Sequence, residues 1–256
     1  RHDLLVGTQS GRRESIDSRL RPDLPDDGAL GDRVNTNLFF SWFYAQADCL
    51  ETGRAVLLTS RSQHYYVSGA FWSRDAYCWT FPALLLVDPV RAREVLVATI
   101  RAGGARLADH ALYLNGTNLY PGFELDQAAA PMLAVARYVQ ATDDISVLAE
   151  PGIAATLIAL LHRVEVWRHP AWALYGTFLL PTDDPTEFPY VTTDNALLAA
   201  AFEAFADLVE RARGHGINID APWTPEDLRG RATAVRAAID EHLVVDVGHG
   251  EMWAWA

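Results

Sequence analysis

A chain of 256 residues, half of them hydrophobic, can bury one large core or two small ones. Its 33 acidic residues outweigh 21 basic ones, all of them Arg, and the formal net charge of −12 argues against the basic face that nucleic acid or an anionic membrane requires. No apolar run approaches the ~20 residues of a membrane span, the first residues lack a signal-peptide core, and Cys49 and Cys78 lack metal-ligand spacing; a reduced, cytoplasmic protein is the expectation.

Taken in order, residues 1–33 read as an irregular N-terminal segment, because Arg21-Pro22-Asp23-Leu24-Pro25-Asp26-Asp27-Gly28 is too rich in Pro, Asp and Gly for a helix. Over 37–51, Phe39, Phe40, Trp42, Phe43, Ala47 and Leu50 recur at helical spacing, with Gly53 as the stop. Ala55-Val56-Leu57-Leu58-Thr59 has the length of a strand. Ser68-Gly69-Ala70-Phe71-Trp72-Ser73-Arg74-Asp75 then sets a Gly turn, two large aromatics and an Arg-Asp pair before an apolar helix over 76–87. Pro82 fits there only within a first turn. Asp88-Pro89 supplies an N-cap and a Pro at N1 for an amphipathic helix over 90–101, which Gly103-Gly104 closes. Residues 105–123 read as a loop with a polar, aromatic tip that includes His110, Tyr113, Asn115-Gly116 and Tyr120. Glu124-Leu125-Asp126 leads into a long apolar helix over 127–140, and another helix is expected over 151–167. The loop over 180–190 passes through Thr192-Thr193-Asp194-Asn195 into an Ala-rich helix over 196–213. Thr224-Pro225-Glu226-Asp227 is a capping box for a helix reaching residue 243.

The rhythm of these elements carries the fold prediction. A polar, aromatic loop ends in an acidic residue and enters a very apolar helix; a more amphipathic helix follows. The acidic markers are Asp75, Asp126 and Asp194. Helices apolar all round are buried and amphipathic ones lie outside them, so the expectation is an all-α chain built as an (α/α)6 toroid of inner and outer helices. In such a toroid the three markers share one mouth. About seven helices are legible where six hairpins need twelve, so residues 34–256 read as an incomplete portion of the barrel, truncated at the C-terminal end.

With these motifs in place, the chain resembles the six-hairpin glycosidases: glucoamylases and bacterial trehalases, the glucosidase domain of glycogen debranching enzymes, and metal-independent exo-α-mannosidases. Phe71-Trp72-Ser73-Arg74-Asp75 resembles their Trp-x-Arg-Asp loop. Tyr120-Pro121-Gly122-Phe123-Glu124-Leu125-Asp126 is similar to a segment ending in an acidic residue at an inner-helix start. Pro181-Thr182-Asp183-Asp184-Pro185 through Asp194-Asn195 is similar to the next inner-helix loop. The resemblance spans residues 35–256 and implies an inverting, exo-acting hydrolase of terminal α-linked sugars, glucose first and mannose second, without cofactor or metal. It implies Asp126 as the general acid, Arg74 and Asp75 as holders of sugar hydroxyls and Trp72 as the floor of that subsite. Tyr120, Glu124, Asp194 and Asn195 join them as candidate sugar contacts, and the general base is expected beyond this chain. Judged by its own neighbourhood alone, Asp126 reads as a helix N-cap, and Arg74-Asp75 as a local ion pair.

The remaining motifs are poorer in chemistry. No His-Glu-x-x-His occurs; His110, His215 and His249 read as surface or loop-packing residues. A Gly-x-Ser-x-Gly elbow is absent, and Gly103-Gly104 and Gly214-His215-Gly216 read as helix C-caps rather than phosphate loops. Three rivals stay open: a toroid phosphorylase, an epimerase with paired histidines, and a non-catalytic carbohydrate-binding domain. The expected partner is an oligosaccharide or glycoside, with no nucleic acid and no membrane.

Overall fold

The computed structural model describes residues 28–64 and 69–255. Seven α-helices lie within them: α1 (Gly28–Tyr44), α2 (Phe81–Val87), α3 (Pro89–Gly103), α4 (Leu125–Thr142), α5 (Ile153–Val166), α6 (Thr192–Gly214) and α7 (Pro225–His242). Three antiparallel pairs punctuate the helices: β1 (Gln46–Cys49) with β2 (Arg54–Leu57), β3 (Asp109–Leu112) with β4 (Asn118–Phe123), and β5 (Val244–Asp246) with β6 (Glu251–Trp253). No described helix is long and apolar enough to cross a membrane.

The helices form two layers. α4 packs against α6 on one side and against α2 and the π-helical turn Asp75–Thr80 on the other. Outside them, α3 covers α2, α5 covers α4, and α7 covers α6. These are three inner–outer hairpins of an all-α toroid, as the alternation of apolar and amphipathic segments requires. Capping fixes their frames: Asp88 accepts the Arg91 N–H at 3.0 Å below Pro89, and Thr224 and Asp227 close their reciprocal box at 3.1 and 2.9 Å. Pro82 falls at the first positions of α2, where its missing N–H costs nothing.

One face of the inner layer has no cover among the described residues. On α4, Leu133, Ala136, Arg137 and Gln140 follow the i, i+3, i+4, i+7 spacing of a single stripe. With Cys78, Trp79, Leu197, Ala204 and Trp255 they line a trough of about 670 Å³ that rises to Arg74, Asp126 and Asp194.

Several elements differ from their sequence reading. The first helix is Gly28–Tyr44, so residues 28–33 are helical and the segment after Ala45 is a β-hairpin. Leu50, which fits the helical stripe on paper, is 94% exposed at the hairpin turn. The turn closes on Gly53 in a left-handed conformation, and the strand register pairs Ala47 with Val56. Pairing across a turn decided this stretch, and helical spacing alone does not register it. Residues 1–27 and Ser68 lie outside the described residues. The expected loop over 105–123 instead holds the β3–β4 hairpin. Its Asn115-Gly116 turn needs glycine: Gly116 has φ +79°, and a Cβ there would stand 2.0 Å from the carbonyl oxygen of Ala102. Residues 244–253 form a hairpin, after which the chain returns to α6, where the Thr192 N–H donates to the carbonyl of Trp255 at 3.1 Å.

Candidate active site

The mouth of the inner layer is assembled from four pieces of chain. The strand-like segment before the π turn is fixed by paired backbone bonds between Phe71 and Leu112, both 2.9 Å, and by the Trp72 N–H on the Thr59 hydroxyl at 3.0 Å. This delivers Arg74 to the top of the π turn. Its backbone N–H donates to Gln127 Oε1 at 2.7 Å, which docks the turn onto the head of α4. A π turn widens the helix and occurs preferentially at functional sites; here it carries Asp75, Cys78 and Trp79.

Arg74 is the electrostatic centre. Nη1 meets Asp126 Oδ2 at 2.8 Å, and Nη2 reaches Asp75 Oδ2 at 3.0 Å and Asp183 Oδ1 at 3.5 Å. Burial opposes the charged guanidinium, but Asp126 and Asp75 outweigh it and hold the pKa above the usual Arg value. Asp126 is in the first turn of α4 and accepts its second bond from the Gln127 N–H at 2.7 Å. Burial raises its pKa against the pull of Arg74. The N-cap position of α4 belongs to Glu124, whose side chain makes no cap bond.

His110 occupies the centre of this network rather than a surface loop. It is buried on β3, and its Nδ1 contacts Glu124 Oε1 and stands 3.9 Å from Asp183 Oδ1. The Trp72 indole N–H points at Nε2 from 3.5 Å, so the ring proton belongs on Nδ1, donated to Glu124. Burial works against a charged imidazole; the bond and charge of Glu124 overcome it and raise the pKa. Glu124 itself is fully buried and takes a second bond from Gln127 Nε2 at 3.1 Å. Burial raises its carboxyl, with His110 opposing and Asp126 adding to the rise.

His110, Glu124 and Asp183 bring ligand-type atoms within 4.8 Å of one another, the arrangement among the described residues closest to a metal site. Its donors are already engaged: Glu124 by His110 and Gln127, and Asp183 by the adjacent guanidinium. This cluster is satisfied by hydrogen bonds and ion pairs, and a cation there would face Arg74.

Of the residues singled out in the sequence, Arg74, Asp75, Asp126, Glu124 and Asp194 gather at the mouth. Trp72 is buried with Ala70 and Ala111, its ring edge-on to His110, so it backs the site through the imidazole. Tyr120 is half exposed on β4, its ring 5.8 Å from His110. Asn195 belongs to the scaffold: its amide donates to the carbonyls of Tyr175 and Val191 at 3.0 and 2.9 Å and accepts the Tyr175 N–H at 2.8 Å, in full burial. Sequence reasoning missed His110, Asp183 and Gln127. A signal existed for Asp183 in the acidic Pro-rich loop, where it adopts φ +67°, unusual for a residue with a side chain. His110 lies well before Asp126 in the chain, and only the hairpin folds it back onto Glu124.

No family model matches the sequence, and no curated protein matches it significantly. Solved structures match in fold. A metal-independent α-mannosidase of Streptococcus pneumoniae, in a non-productive complex with α-1,6-mannobiose, superposes with a TM-score of 0.72 at 12% identity, over 100% of this chain and 67% of that one. A GH76 α-mannanase of Bacteroides thetaiotaomicron gives 0.54 at 10% identity, over 94% of this chain and 62% of that one. A bacterial glucoamylase bound to acarbose gives 0.53 at 15% identity, over 72% and 24%. The fold is that of the six-hairpin (α/α)6 glycosidases, and each of these neighbours extends beyond the part that this chain spans.

Proposed function

We propose that this chain carries the sugar-binding and acid side of an inverting, exo-acting glycoside hydrolase of six-hairpin type, with Asp126 as general acid. The observation that carries the reading is the Arg74–Asp126 ion pair, 2.8 Å long and nearly buried, at the head of an inner helix of this toroid. Asp75 and Asp183 share the same guanidinium. A sugar hydroxyl that takes over donors of Arg74 loosens its hold on Asp126. Burial then favours the protonated carboxyl, the state a general acid needs. Asp75 and Asp183 supply acceptors for hydroxyls, and His110 with Glu124 stiffens the wall between them. Inversion asks for a second carboxylate about 6.5–9.5 Å from the acid, with water between; we place it outside the residues of this sequence.

Among substrates, α-mannosides come first and α-glucosides second. The fold likeness to the mannosidase runs over the whole chain and the likeness to the glucoamylase over 72% of it, which supports that order. An epimerase working through paired histidines fits less well: beside His110, His162 lies tilted against Trp223, and His169 and His242 stack on Trp172. The test is product release from a panel of α-mannosides, α-glucosides and trehalose, followed by NMR for the anomer formed first. A β-anomer from an α-substrate is expected. Asp126→Asn should cut turnover about 10²–10⁴-fold while retaining sugar binding; near-normal hydrolysis by that variant removes Asp126 from the role, and phosphate-dependent release moves the reading to a phosphorylase.

A further inference from the structure

The head of α6 holds a group left idle by the scheme above. Asp194 is 1% exposed and lines the same cavity as Arg74 and Asp126, yet its Oδ2 has no hydrogen-bond partner. Its other oxygen receives the Thr193 hydroxyl at the long distance of 3.4 Å. Asp126 is as buried but fully engaged, with one oxygen on Arg74 and the other on the Gln127 N–H. The charged groups around Asp194 are Arg74 on the π turn, already shared among three carboxylates, and Asp126 and Glu124 at the head of α4. Trp255, from the chain end, contributes no charge.

A buried carboxylate with an empty oxygen and two negative neighbours is a costly species, whereas a neutral carboxylic acid is an uncharged donor and acceptor in one. We infer that Asp194 stands as a neutral acid at neutral pH and grips a ligand hydroxyl from its unpartnered edge, giving its O–H and accepting in return. The inference rests on the glycoside reading. In its electrostatic setting, burial first and Asp126 next push the Asp194 pKa up to about 8, with Arg74 pulling the other way. No bond is made or broken in this role: Asp194 is a binding residue, distinct from the acid Asp126. Above that pH the O–H donor is gone and a third anion faces the sugar. Asparagine mimics the neutral acid, being donor and acceptor at every pH, while alanine is neither.

The experiment is calorimetric titration of the whole protein with mannose and with glucose at about pH 6 and pH 9.5. Wild-type affinity should fall about tenfold or more at the higher pH, Asp194→Asn should hold its affinity across the range, and Asp194→Ala should bind about tenfold more weakly at both. A wild-type affinity that ignores pH, or an Asp194→Asn variant that loses affinity in alkali as the wild type does, overturns the inference and leaves the glycosidase reading standing. Absence of sugar binding at both pH values overturns that reading and the inference with it. Should Asp194→Ala fail to fold, carbon-13 NMR of the aspartate carboxyls tests the same protonation state without it. A carboxyl that titrates near pH 8 and vanishes in Asp194→Asn is expected, and its absence from the wild-type spectrum also overturns the inference.

Discussion

Two sets of arginine–carboxylate pairs in this molecule use the same chemistry to opposite ends. On the outer layer, Arg229 of α7 reaches Asp207 and Glu210 at 2.7 Å, and Arg236 pairs with Glu203, all well exposed. At the mouth, Arg74 is 13% exposed and serves Asp126, Asp75 and Asp183 together. On the outside, the arginines lower their partners: Glu203 and Glu210 both fall below their ordinary pKa, led by the hydrogen bond each receives. At the mouth, burial dominates and Asp126, Glu124 and Asp194 all rise. Contact distance therefore does not distinguish the outer pairs from those at the mouth; the number of anions per cation and the depth of burial do.

Removing the cation at the mouth should give the largest effect. Arg74→Met leaves buried carboxylates uncompensated and should cost about 3–5 kcal/mol at neutral pH, read by denaturant unfolding. A cost near that of a surface pair would mean that water reaches the cluster freely. The second effect concerns sign. Asp194 has a folded pKa of about 8, above its unfolded value, so its contribution to stability is complete below about pH 4 and is lost as pH rises toward 8. Asp194→Asn removes this loss, so its melting temperature should gain on the wild type steadily between those limits. A constant difference between the two would place the titration elsewhere. The smallest effect is expected from Arg236→Ala, which should leave the melting temperature unchanged within error in ordinary salt. A clear destabilisation there would erase the contrast between the two regions.

The sequence disclosed the mouth more readily than the walls. Asp75, Asp126 and Asp194 are legible because each opens an inner helix, and helix starts are marked by apolar periodicity and turn residues that one can count. Asp88-Pro89 and Thr224-Pro225-Glu226-Asp227 fix helix frames for the same local reason. His110 was not legible: its place depends on a hairpin register, and pairing across a turn leaves little trace in a four-residue strand. Asn195 misled in the opposite direction. An Asp-Asn pair at a helix start looks like two polar groups facing a ligand, but successive helical residues point about 100° apart, so one faces the cavity and the other the framework. The early hairpin at β1–β2 was hidden by aromatic residues that satisfy helical spacing up to Tyr44, beyond which the pattern continues by coincidence.

Gln127 gives the site a direction. Its amide nitrogen faces Glu124 and its amide oxygen faces the N–H of Arg74, so an uncharged side chain dictates which neighbour gives and which receives. Trp72 and His110 continue the same polarity from the other side, ending on the same carboxylate. Glu124 is thus the common sink of two converging chains of donors, and every group upstream inherits its orientation from it. The wiring is one-way: reversing that amide would set like poles against each other at both ends, in full burial.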